Sequence, residues 1–162
     1  IEKNISAPNE ILNHVRQKLI DSVSQDGGQD GMDCVLMCFD KKNSTITYAE
    51  AKNNLLLVRD KALIEFPGDK MPVGKGENTN SFTLHTLDPR KGDVLYLYSD
   101  GYADQFGGAR GKKFKYKALN DLLLKHSDLP LPEQSIRMET TFETWKGGLE
   151  QVDDVVLIGI RL

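Results

Sequence analysis

Apolar residues near the start of the chain recur every three or four positions: Ile11, Leu12, Val15, Leu19, Ile20 and Val23. This spacing predicts an amphipathic helix, with Ser6 as its cap, Pro8 in its first turn and Gly27-Gly28 at its end. The period then changes. Residues 34–39 form an unbroken apolar run, short enough for a strand buried on both faces, and 40–44 carry turn chemistry. Strands are predicted at 45–49, 55–58 and 62–66, separated by Asn53-Asn54 and Arg59-Asp60-Lys61 as in an antiparallel meander. A polar, glycine-rich loop at 67–80 precedes a strand at 81–87, a tight turn at 88–92 and a strand at 94–98. Residues 102–115 show no period. Ala118, Leu119, Leu122 and Leu123 then mark a helix, which 129–132 breaks. A second helix over 133–146 presents Ile136, Phe142 and Trp145, and a last apolar strand occupies 155–160. Helix, five or six strands, two helices, strand is an α+β order, in which a mostly antiparallel sheet carries helices on its outer faces.

Composition narrows the class. The 162 residues, 39% hydrophobic and 28% charged, read as one globular domain spanning 1–162, without internal repeats. Twenty-one basic against 24 acidic side chains give a net charge of −3, which argues against nucleic acid as a partner. No apolar stretch approaches the roughly 18 residues of a membrane helix, and Ile1-Glu2-Lys3-Asn4 has neither a start methionine nor a leader pattern, so the chain reads as part of a longer protein. Cys34 and Cys38 lie within the apolar run and read as small buried thiols in a reducing compartment.

Candidate chemistry gathers at acidic residues bordering two apolar strands. Asp100 follows the strand at 94–98 and precedes Gly101, which permits a sharp turn; Asp153 and Asp154 directly precede the strand at 155–160. If these strands are antiparallel neighbours, Asp100 and Asp153 converge. Convergent carboxylates repel, and a hard divalent cation such as Mg²⁺ or Mn²⁺ relieves the repulsion, although Ser-Asp-Gly is also ordinary turn composition. Other signals fail on spacing. Five residues, not four, separate Gly68 from Gly74-Lys75, and Gly76 stands where a phosphate-binding loop needs a hydroxyl. Asp26, Asp30 and Asp33 miss the calcium-loop pattern, and Met37 occupies its glutamate position. His14, His85 and His126 are scattered without a nucleophile elbow, and the Asn4 and Asn43 glycosylation triplets are of a kind that arises by chance. The cluster Arg110, Lys112, Lys113, Lys115 and Lys117 reads as a solvated loop in preference to a surface that steers a phosphorylated partner.

The stretch Asp93-Val94-Leu95-Tyr96-Leu97-Tyr98-Ser99-Asp100-Gly101-Tyr102-Ala103-Asp104-Gln105-Phe106, with Glu150-Gln151-Val152-Asp153-Asp154-Val155, resembles the metal-dependent (PPM-type) protein phosphatases, closest to their bacterial SpoIIE/RsbU branch. Asp30-Gly31-Met32-Asp33, Tyr48-Ala49-Glu50-Ala51-Lys52-Asn53-Asn54 and Gly68-Asp69-Lys70-Met71-Pro72-Val73-Gly74 resemble it too. The resemblance implies a protein phosphatase 2C-like layered sandwich of antiparallel sheets flanked by helices, and removal of phosphate from phosphoserine or phosphothreonine in a partner. It implies two Mn²⁺ or Mg²⁺ ions holding a bridging water, with Asp100 and Asp153 as ligands and Asp154 as an orienting neighbour. The family also uses an upstream segment of the Gly-Asp-Phe-Tyr-Asp kind, and nothing in residues 1–30 fits it, so a domain truncated at its N-terminal side, of weak activity, is expected. The resemblance further implies a cytoplasmic signalling phosphatase, fused upstream to a sensor or signalling domain and acting on an anti-anti-sigma-type regulator. Uncovered sheet edges and the apolar face of the first helix are expected to favour a homodimer or strand exchange. The competing expectation is a non-catalytic module of the same fold that binds a partner or transmits a signal.

Overall fold

The computed structural model describes residues 5–23 and 31–162; Asn4, Asp26, Gly27-Gly28 and Asp30 lie outside the described residues. The first elements are α1 (Pro8–Val23), β1 (Gly31–Met32), β2 (Cys34–Asp40), β3 (Thr45–Ala51), β4 (Leu55–Arg59), β5 (Ala62–Phe66), β6 (Val73–Gly74) and β7 (His85–Leu87). They are followed by β8 (Val94–Tyr98), α2 (Gly101–Asp104), β9 (Phe106–Gly107), β10 (Lys112–Lys113), α3 (Tyr116–His126), α4 (Leu131–Lys146) and β11 (Leu157–Arg161). The chain divides into two compact units, Ile1–Leu55 with Phe66–Arg90 and Leu56–Glu65 with Lys91–Leu162.

In the first unit β3 is the central strand of an antiparallel sheet, β2-β3-β7. Cys34 to Asp40 pair in register with Ala51 to Thr45, and Ile46 to Tyr48 with Leu87 to His85. The helix α1 starts at Pro8, whose fixed φ suits a first turn, and the Ile11 N–H donates to the Ala7 carbonyl at 3.0 Å. Ala7, not Ser6, is therefore the capping position. Leu12 is buried among Ala49, Ala51, Met71, Val73 and Phe82, with Val15 and Leu19 packed alongside. The unit's own core thus covers Leu12 fully and Val15 and Leu19 in part, while Ile11 and Ile20 of the same apolar stripe stay half-buried outside the cluster. Arg16 lies 4.9 Å from the Phe82 ring and donates to the Asn80 carbonyl at 2.8 Å. The Phe82 and Thr83 N–H groups donate to Asn13 Oδ1 and Asp69 Oδ2, which leaves only 85–87 of the expected 81–87 strand to pair.

Two further expectations for this unit need correction. The run at 34–39 is not buried on both faces: Cys34 is half-buried, while Cys38 and Phe39 are exposed, because among the described residues β2 pairs on one side only. Burial still pushes the Cys34 thiol up. Nor do the strands after residue 45 form one meander. β3 and β4 belong to different sheets, because Lys52 adopts a left-handed φ of 55° and the Glu50 carboxylate takes the Leu55 N–H at 2.5 Å, turning the chain out of the first sheet.

The second unit holds the antiparallel sheet β11-β8-β4-β5. Leu157 to Arg161 run opposite Tyr98 to Val94, and Leu56 to Val58 opposite Tyr96 to Val94. Leu56, Val58, Val94, Tyr96 and Tyr98 form a core with Leu119 and Leu123 of α3 and Met138 and Phe142 of α4. On α4 the inward positions are Gln134, Met138 and Phe142, a spacing of four. Ile136, expected to face inward, is 61% exposed, since two residues on from Gln134 is the opposite side of the helix. Gln134 is tolerated in the core because Tyr96 Oη donates to its Oε1 at 2.6 Å and its Nε2 donates to the Ser127 and Leu129 carbonyls. Asp93, 2% exposed, is held by Arg59 through two bonds of 2.9 and 2.7 Å. Residues 102–115, without a period in the sequence, contain α2 and the small β9–β10 hairpin. Among the described residues no helix is long and apolar enough to cross a membrane.

Candidate functional site

The strands β8 and β11 deliver two acidic loops to the same end of the sheet. The antiparallel register ends at Tyr98 opposite Leu157, so Ser99-Asp100-Gly101 leaves the sheet beside the chain segment that arrives through Asp153 and Asp154. Ser99 fixes the junction with both of its polar groups. Its N–H donates to the Val156 carbonyl at 2.9 Å; its hydroxyl donates to the Asp154 carbonyl at 2.7 Å and accepts from the Val156 N–H at 2.9 Å. A methyl group at Gly101 would collide with the Asp154 carbonyl and crowd that of Asp153, so glycine is required by close approach of two backbones.

Asp100 stands at the start of α2 with helical φ and ψ, and its carbonyl accepts the Asp104 N–H at 2.9 Å. Its carboxylate makes no capping hydrogen bond and is exposed. Asp153 and Asp154 are exposed as well. Asp153 Oδ1 accepts the Asp154 N–H at 2.7 Å, and the Gln151 side chain donates to the Asp153 carbonyl at 2.8 Å. The turn-capping alternative therefore applies to Asp153, which caps its own neighbour, and not to the Asp100 side chain.

Gln105 positions the incoming loop from below. Fully buried, it donates to the Glu150 carbonyl at 2.9 Å and accepts the Val152 N–H at 3.3 Å. Sequence reasoning missed Ser99 and Gln105 as positioning residues. Their partners lie 45 to 57 residues away and are backbone atoms, which no side-chain pattern announces.

The sequence reading names Glu50 only within a stretch of family resemblance and assigns it no role. It is 1% exposed, its Oε1 accepts the Leu55 N–H, and its Oε2 is buried without a hydrogen-bond partner among the described residues. Burial, opposed by the Leu55 bond and reinforced by the Asp69 charge, raises its pKa to about 7. A signal was present: alternation in Thr45–Ala51 puts Glu50 on the same face as the buried Ile46 and Tyr48. The remaining candidates are structural. His85 stacks on Tyr48 at 5.1 Å, the Gly68 N–H donates to Asn54 Oδ1, and Trp145 packs edge-on against Phe114 at 5.3 Å. A cavity of about 500 Å³ between α4 and the β8–β11 pair is walled by Tyr96, Met138, Phe142, Val155 and Leu157, and neither Asp100 nor Asp153 lines it.

The acidic junction fits a divalent cation in kind, since carboxylate oxygens are the donors Mg²⁺ and Mn²⁺ prefer. It does not fit in number: among the described residues no group of three His, Cys, Asp or Glu side chains is placed to hold a metal ion.

Comparison with known proteins defines the family. The model of the family "Stage II sporulation protein E (SpoIIE)" matches residues 1–162. The SiaA-PP2C domain of Pseudomonas aeruginosa is 27% identical with a TM-score of 0.87, over 96% of this chain and 61% of that one. The chain thus spans less than two thirds of that domain. The RsbU and RsbW domains of a Mycobacterium tuberculosis protein are 17% identical with a TM-score of 0.69, over 94% of this chain and 41% of theirs. The Mn-presoaked phosphatase domain of SpoIIE from Bacillus subtilis is 13% identical with a TM-score of 0.59, over 99% and 75%. No curated protein matches the chain. With its antiparallel sheets and flanking helices matching the PP2C-like fold, the chain belongs to the SpoIIE family, in the SpoIIE/RsbU branch of the PPM-type phosphatase domains.

Proposed function

We propose that the protein removes phosphate from phosphoserine or phosphothreonine in a partner signalling protein, of the anti-anti-sigma type, in a bacterial cytoplasmic cascade with an upstream sensor. The observation that carries this reading is the β8–β11 junction, where Ser99 and Gly101 hold the Asp100 and Asp153 loops against each other in a SpoIIE-family domain. Asp100, whose carboxylate does no capping work, and Asp153 would hold Mn²⁺ or Mg²⁺. Such ions, if bound there, would supply a water of lowered pKa as nucleophile. Asp154 steadies Asp153 through its N–H, and Gln105 fixes the loop that carries both. The donors the described residues lack would come from an upstream Gly-Asp-Phe-Tyr-Asp segment, so these 162 residues alone turn over slowly.

The test is Mn²⁺-dependent hydrolysis of a phosphoserine peptide by this chain and by one carrying its upstream sequence, each with and without Asp100→Asn. The expected result is activity concentrated in the longer chain and lowered at least about 100-fold by the substitution. Undiminished activity in Asp100→Asn would overturn the assignment, and silence of the longer chain would favour a fold kept for binding alone.

A further inference from the structure

We propose that the β9–β10 hairpin and the segment after it form a docking surface for an acidic segment of the partner protein. The inference rests on the phosphatase reading in taking that partner to be phosphorylated and the Asp100 junction to be where it is delivered. Arg110, Lys112, Lys113, Lys115 and Lys117 fall within eight residues, all exposed, in a chain whose net charge is −3. Lys113 pairs with Asp104 and Lys117 with Asp121, each at 2.9 Å, whereas Arg110, Lys112 and Lys115 make no ion pair among the described residues.

A loop whose charges merely face solvent needs no anchoring, and this one is fastened. Gly107 and Gly108 lie so close to Trp145 that a methyl group at either would strike it. The Gly108 N–H donates to the Trp145 carbonyl at 2.9 Å, and Trp145 Nε1 donates to the Gln105 carbonyl at 3.0 Å. Phe114 sits edge-on to both Trp145 and Tyr102. On the return, the Phe114 and Lys115 N–H groups donate to the Gln105 and Ala103 carbonyls at 3.0 and 2.7 Å. Lys115 is held at a φ of 78°, a conformation costly for a residue with a side chain and kept only where the surroundings enforce it.

Cations on a fixed backbone lose less entropy on binding than cations on a free loop. The row is also placed for substrate delivery. The Lys115 N–H is bonded to Ala103 in α2, the helix that begins beside Asp100, so an acidic chain lying along the hairpin is led to the acidic junction. Exposed Phe106 precedes the row and exposed Tyr116 lies within it, and both offer apolar contact to an extended peptide. A protein segment suits this surface better than a nucleic acid, because the negative charge of the rest of the chain repels a long polyanion, while a short acidic segment meets only the local patch.

The test is fluorescence anisotropy with a labelled peptide of roughly 15 residues, one phosphoserine flanked by Asp and Glu, in EDTA so that binding is read without turnover. Arg110→Glu/Lys112→Glu, at exposed unpaired positions, is expected to keep the wild-type melting temperature and to bind on the order of tenfold more weakly at about 50 mM salt, the difference vanishing at about 300 mM. The proposal is overturned by equal affinity of the variant, by absent binding to wild type, by equal binding of a lysine-flanked phosphopeptide, or by equally tight capture of an oligonucleotide of the same charge. Hydrolysis of p-nitrophenyl phosphate with Mn²⁺ reads the phosphatase assignment separately: its absence with peptide binding retained removes the catalysis and leaves the docking surface standing.

Discussion

At the scale of single residues, Glu50 carries the sharpest consequence. Its folded pKa of about 7 stands above the ordinary 4.5, so between those values the folded chain holds the proton more tightly than the unfolded one. Stability from this group is fully present below about pH 4.5 and is lost as pH rises through about 7, a total on the order of 3 kcal/mol. Glu50→Gln keeps an acceptor for the Leu55 N–H and removes the buried charge. It should raise stability at pH 8 and flatten the loss between pH 5 and 8, as read by urea unfolding at both ends. An unchanged slope in the variant would show that some other group sets the pH response. The acidic junction was more legible than Glu50, since Asp100 and Asp153 announce themselves by bordering apolar strands. Their supports were not: Ser99 and Gln105 act on distant carbonyls and N–H groups, and only the strand register brings these within reach.

Among the elements, legibility followed periodicity. α1, α3, β4 and β8 carry an unambiguous run or repeat, and their cores coincide with it. Where side chains replace backbone partners the pattern misleads, as at Phe82 and Thr83, whose N–H groups bond Asn13 and Asp69, and at Leu55, taken by Glu50. The β4–β5 hairpin is closed by Asp60 and Lys61 at φ of 51° and 61°, the two left-handed positions of a tight hairpin turn. Aspartate tolerates that region; lysine does so at a cost of about 1 kcal/mol. The Lys61 ammonium reaches Asp128 at 3.5 Å with both side chains largely exposed, a pair that contributes little. Lys61→Gly should therefore stabilise the chain by somewhat under about 1 kcal/mol, the relieved strain less the added freedom of the unfolded state. A lower denaturation midpoint in Lys61→Gly would show that the ion pair, not the turn, governs this hairpin.

Across the whole molecule, the described residues leave sheet edges with apolar side chains open, among them those of β11, β2 and β5, where Ile64 is 39% exposed. β11 pairs only with β8 among them, and Val156 and Ile158 at this edge are 50% and 49% exposed. β2 pairs only with β3 and exposes Phe39. An edge of unpaired backbone groups flanked by apolar side chains is a template for a further strand, and on β11 only Arg161 stands against such pairing by its charge. The expected consequence is self-association of this chain through its edges. Sedimentation equilibrium should show average mass rising with concentration in the micromolar range. Ile158→Lys places a charge on the open edge at a half-exposed position, so it should restore the monomer while leaving the melting temperature within a few degrees. If wild type sediments as a monomer throughout, strand pairing at these edges is excluded. If the Ile158→Lys variant associates as strongly as wild type, the contact lies elsewhere, with the Phe39 edge of β2 the next to test by Phe39→Lys.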